Sequence, residues 1–168
     1  MEVSILAKTY FAEQIQSVVG TNDQCVMGRL TKDVDLFEGI IQVCEEHGIQ
    51  TATFQCIGSL TRVGLVQIAL NEQGEIGYSE PIYLENPVEL LAGTGFIGLD
   101  AKGELDIHYH GLYVDSNGTI SGGHFLRGEN PTAVTMEYVI QPTSDIHLQR
   151  RIDPMWNLPV FQFTQRGE

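Results

Sequence analysis

From residue 51 onward the chain is a series of short apolar runs cut by turn-forming residues, and this pattern constrains the fold more than any other feature. TATFQCIGSL, VGLVQIAL, VELLAGTGFIGLD, LDIHYHGLYVD, TISGGHFL and AVTMEYVIQ are runs that suit strands. Between them stand NEQGE, AKGE and SNG, clusters of residues that favour tight reversals. The first two runs are expected to break at Gly58 and Ser59. Reversals this short join antiparallel neighbours.

Only one segment ahead of these runs carries a helical period. In DVDLFEGIIQVCEEHG, Phe37, Ile40, Ile41 and Cys44 fall at i, i+3, i+4 and i+7 and make one apolar stripe. Asp35 and Glu38 have the spacing of a capping box, and Gly48 supplies a stop, so a helix is expected over about residues 34–47. One helix with many antiparallel strands is an α+β domain. Residues 1–24 are irregular and read as an N-terminal arm or edge strand ending in GTND. Residues 25–168 are then one domain, closed by an alternating apolar tail around Trp156 that suits a strand or a cover on the sheet.

A length of 168 residues is enough for a core without covalent staples. Nine Lys and Arg against 22 Asp and Glu give a formal net charge of -13. Such a surface repels phosphate backbones and argues against direct nucleic-acid binding. Cys25, Cys44 and Cys56 are unpaired in spacing and lie in apolar contexts, as small buried thiols do. The first residues form neither a signal peptide nor a membrane span, so the expected compartment is the cytoplasm.

Three of the five histidines sit in DIHYHGLYVDSNGTISGGH. Alternate residues of a strand share a face, so His108 and His110 project together while Tyr109 points the other way. The turn at Asp115–Gly118 folds the next strand back, and a bulge or wider loop at Gly122–Gly123 would bring His124 beside them. Three imidazoles suit zinc or another first-row divalent metal and leave an open coordination position. An exposed stripe of histidines with no function is the competing reading from spacing alone. Asp106 precedes His108 by two residues and is a candidate to orient it, or a solvated strand-end acid. Arg62, after the strand break, is a candidate partner for an anionic ligand, although exposed arginines of this kind are common. No catalytic residue is assigned.

Several stretches, taken in order, resemble the plants-and-prokaryotes-conserved (PPC, also PCC) domain family. They are GRLTKDVDLFEGIIQVCEEHGIQTATFQCIGSL, VELLAGTGFIG, IHYHGLYVDSNGTISGGHFLRG and the tail LQRRIDPMWNLPVFQF. The resemblance implies a strongly bent antiparallel sheet, assembly as a homotrimer, and a metal, generally zinc, on His108, His110 and His124. The fold is also similar to that of acetolactate decarboxylase, which holds zinc on a comparable histidine set. Plant members carry DNA-binding arms, but this sequence has no Arg-Gly-Arg-Pro hook. The expected function is zinc binding with a small-molecule ligand and a molecular role still unassigned. A metal-dependent lyase or hydrolase acting on a hydroxy or keto acid is the alternative, and a DNA-associated regulator the third.

Overall fold

The computed structural model describes residues 15–19, 25–155 and 157–165. Its elements are β1 (Ile15–Val19), β2 (Val26–Thr31), α1 (Leu36–Glu46), β3 (Ala52–Leu60), β4 (Val63–Val66), β5 (Ile68–Leu70), β6 (Ile76–Tyr78) and β7 (Ile82–Leu84), followed by β8 (Val88–Leu99), β9 (Leu105–Asp115), β10 (Ile120–Phe125), β11 (Thr132–Pro142), β12 (Ile146–Ile152) and β13 (Pro159–Gln165). The fold is α+β. Trp156 and most of residues 1–24 lie outside the described residues, whereas β1 pairs antiparallel with β2 at the edge of the sheet.

The main sheet has 11 strands, and its central path runs β1-β2-β11-β3-β8-β9-β10-β4-β7. Pairing is antiparallel except where Gln149 of β12 meets Leu99 of β8. Through that contact the β12–β13 hairpin joins the sheet. A separate two-stranded ribbon is formed by β5 and β6. No helix among the described residues is long and apolar enough to cross a membrane.

α1 forms for the reasons its sequence suggests. Asp35 caps it, accepting hydrogen bonds from the backbone N–H of Phe37 at 3.0 Å and Glu38 at 3.2 Å. Phe37, Ile40, Ile41 and Cys44 are all buried. Glu38 receives the guanidinium of Arg127, Nε to Oε1 at 2.5 Å. Asp35 also accepts from the backbone N–H of Asn130 at 2.9 Å, tying the helix start to the loop before β11.

The helix covers one face of the sheet. Tyr109, fully buried on β9, stacks on Phe54 at 5.2 Å between ring centroids and meets Phe37 of α1 edge-on at 6.0 Å. Ile97, Ile107, Met136 and Ile140 complete this side of the core. Alternation then sends Asp106, His108 and His110 to the opposite face.

The expected break at Gly58–Ser59 is not there: β3 runs through both residues to Leu60. A register shift between Cys56 and Gly58 absorbs them, because a bulge bends a strand without ending it. Gly58 has φ +148°, and a Cβ on it would lie 2.2 Å from the carbonyl oxygen of Thr135.

Candidate metal centre

β9 and β10 bring the three histidines together by register alone. Their ladder runs without a shift from Ile120 opposite Val114 to His124 opposite His110. The expected bulge at Gly122–Gly123 is therefore absent. Those glycines serve close strand approach instead. A Cβ on Gly122 would stand 2.2 Å from the carbonyl oxygen of Gly111, and one on Gly123 would stand 2.7 Å from that of Val66. The turn is closed by Asp115, whose Oδ1 accepts from the N–H of Asn117 and of Thr119, both at 2.8 Å.

Ring centroids lie 5.0 Å apart for His108 and His110, 5.0 Å for His108 and His124, and 5.4 Å for His110 and His124. One ring nitrogen from each histidine falls within 4.8 Å of the others. Among the described residues, this is the one group of three or more His, Cys, Asp or Glu side chains close enough to share an ion. The Nε2 atoms of His108 and His110 are 3.1 Å apart. Tetrahedral zinc with bonds of about 2.0–2.1 Å places its nitrogens about 3.3 Å apart, so this pair stands close to that spacing.

Electrostatics favour the neutral form of two of these rings, His124 and His108. His124 is held down to about 4, first by burial and then by the neighbouring His108, His110 and Arg150. His108 is lowered for the same leading reason, with Asp106 opposing. Neutral imidazole is the form that ligates a metal. His124 Nδ1 is buried with no hydrogen-bond partner, an orphaned polar atom on one of the three rings. Cys44 and Cys56 offer no competing ligand, since burial pushes both thiols up to about 12. The residues present thus fit a divalent ion.

Other candidates fall elsewhere. Arg62 starts the loop before β4 and pairs with Glu129 at 3.2 Å. It lines a cleft of about 1410 Å³ beside α1 that includes none of the three histidines. Asp106 shares the histidine face, but its Oδ2 lies 2.7 Å from Nε of Arg150, and its Oδ1 accepts from the N–H of Ile107 at 2.8 Å. His47 is the C-cap of α1, and His147 lies on β12.

Sequence reading passed over Arg150 as a site residue. Leu148 and Phe161 of the β12–β13 hairpin pack where a Cβ on Gly98 would lie, 2.6 and 2.7 Å from it, seating the hairpin on the histidine side of β8. Arg150 projects from there to Asp106, and its Nη2 donates to the carbonyl oxygen of Ile107 at 3.2 Å. The tail motif LQRRIDP and the expectation of a cover were the available signals. On the opposite flank, the ring of Tyr78 lies 5.5 Å from that of His124.

Fold and site together define a class: α+β proteins built on an antiparallel sheet, with a three-histidine cluster on the face away from the helix. The chain belongs to the Plants and Prokaryotes Conserved (PCC) domain family, whose model matches residues 17–144. Its fold is similar to that of a Pyrococcus horikoshii plant- and prokaryote-conserved protein, at 22% identity and TM-score 0.69, over 88% of this chain and 94% of that one. It is similar to a metal-containing protein of Archaeoglobus fulgidus, at 22% identity and TM-score 0.71, over 88% and 97% of the two chains. A candidate DNA-binding protein of Bacteroides thetaiotaomicron aligns at 17% identity and TM-score 0.73, over 89% and 98%. Among curated proteins the comparison finds no match.

Proposed function

We propose that this chain is a metal-binding PCC-domain protein whose divalent ion, zinc in the first place, is held by His108, His110 and His124. The carrying observation is the convergence of three ring nitrogens within 4.8 Å of one another on a regular hairpin. The name given to the Archaeoglobus relative, a metal-containing protein, supports the same reading. An ion at this position supplies Lewis-acid polarisation of an oxygen donor. His108, His110 and His124 would hold the ion and, as three protein ligands, would leave a fourth position open to a small molecule. We assign the site to ligand binding or regulation. A lyase or hydrolase acting on a hydroxy or keto acid would use the same open position, and turnover by the loaded protein distinguishes it.

The proposed assembly is a homotrimer in the cytoplasm. Met27 and Ile57 are each 56% exposed on the histidine side of the sheet, and a shallow groove of about 390 Å³ runs between them past Thr94. A second copy is the occupant we assign to this apolar surface. Direct DNA binding, suggested by the Bacteroides relative, is disfavoured by the net charge of -13. Arg62, Arg127 and Arg150 are moreover each held by an acidic partner.

Elemental analysis of the purified protein tests the metal reading. The wild-type chain should carry about one equivalent of metal, and a His108→Ala/His110→Ala variant should carry little or none. Equal metal content in the two would sink the reading.

A further inference from the structure

Symmetry limits what can fill the groove that Met27 and Ile57 open on the sheet. In a ring of more than two copies each contact is heterologous: the surface offered to one neighbour differs from the surface offered to the other. The groove alone therefore cannot build a ring. A second apolar surface must stand elsewhere on the same chain.

The β5–β6 ribbon carries one. Ile68 lies opposite Tyr78 and Leu70 opposite Ile76, and opposed residues of a ladder point to the same side. These four side chains thus share one face, leaving Ala69 and Gly77 to the other. Their exposures are 63% for Ile68, 69% for Leu70, 46% for Ile76 and 41% for Tyr78. Neither strand pairs with the main sheet, and a lone two-stranded ribbon is marginal in water. Its base is nevertheless fixed. The N–H of Gln67 donates to Ser79 Oγ at 3.1 Å, the N–H of Ser79 to the carbonyl oxygen of Gln67 at 2.8 Å, and Gln67 Nε2 to the carbonyl oxygen of Gly122 at 2.9 Å.

Groove and ribbon lie to either side of the histidines. Gln55, Thr94, His110, His124 and Val66 stand opposite one another in turn across β3, β8, β9, β10 and β4. Gln55 and Thr94 line the groove, and Val66 leads into the ribbon. Both apolar surfaces stay open within the chain, as head-to-tail contact requires. Charge agrees with this. The turn at the ribbon's tip carries the exposed Glu72 and Glu75. Arg29, two residues beyond Met27 on the same face of β2, is exposed. Among the described residues it makes no ion pair, even with Glu137 opposite it in the ladder.

Resting on the assembly read above, we propose that the apolar face of the β5–β6 ribbon of one copy fills the Met27–Ile57 groove of the next.

Two full-length variants test this, Leu70→Glu/Ile76→Glu on the ribbon and Met27→Glu/Ile57→Glu in the groove. Each alone should sediment as a monomer, because every contact needs one intact ribbon and one intact groove. An equimolar mixture keeps one such contact, the ribbon of the groove variant in the groove of the ribbon variant, and should sediment as a dimer. A ribbon variant that assembles like the wild type would overturn the proposal while leaving assembly through the groove standing. A mixture that stays monomeric would overturn it too. A wild-type monomer would overturn the assembly and the proposal together. If either variant does not fold, cysteine pairing decides. Ile57→Cys/Leu70→Cys should give disulfide-linked multimers under mild oxidation, and each single substitution should give no more than the wild type. No multimers from the pair, or multimers from Ile57→Cys alone as grooves facing each other would produce, would overturn the proposal.

Discussion

His124 shows how one side chain couples folding to ligation. Burial and its two neighbouring imidazoles hold its folded value at about 4, below the 6.5 of an unperturbed histidine. The unfolded chain therefore binds a proton at this residue before the folded chain does. The resulting stability is fully present above about pH 6.5 and is lost as pH falls towards 4. Metal-free protein should thus unfold at progressively lower denaturant concentration from pH 7 to pH 4.5. His124→Gln should show a shallower decline over that window, and identical slopes in chemical denaturation would count against the assignment. The trio was legible in the sequence because strand period and turn chemistry are local. Arg150 was not, because it reaches the site through the contact of Gln149 with Leu99, 50 positions away in the chain. Arg62 lies apart from the trio: Glu129 pairs with it in a cleft beside α1 that includes none of the three histidines.

Among the elements, α1 and the β9–β10 hairpin were the most readable, each set by signals within a few residues. Asp35 does more than its cap position announces, since it also accepts from Asn130 and fixes the loop leading into β11. Asp35→Ala should cost about 2 kcal/mol, the upper end for a lost cap, in urea titration. A cost of a few tenths would mean that the loop finds other acceptors. Gly58 was misread as a break because glycine serves equally in turns and in bulges. Only the partner strand distinguishes the two, and β11 lies more than 70 positions downstream. Gly58→Ala places a methyl 2.2 Å from a backbone oxygen that cannot swing aside. It should destabilise by about 2 kcal/mol or more, read as a lower melting temperature with an unchanged far-UV spectrum. A neutral effect would mean that the bulge relaxes.

For the molecule as a whole, the α+β class followed from composition and period, while strand order did not. Sequence neighbours β3 and β4 are not paired, and β11 inserts between β2 and β3. Long-range order of this kind depends on which apolar faces meet, and no local pattern encodes it. The proposed trimer belongs to this scale. Sedimentation equilibrium should return three chain masses, and Met27→Glu/Ile57→Glu should shift the protein to monomer with its fold intact. A wild-type monomer at micromolar concentration would sink the assembly. The seating of the β12–β13 hairpin has a further consequence, one of timing. The three histidines lie within residues 108–124, whereas β12, which carries Arg150 to Asp106, begins only at Ile146, so that flank of the histidine face stays uncovered until the last strands of the chain have been made.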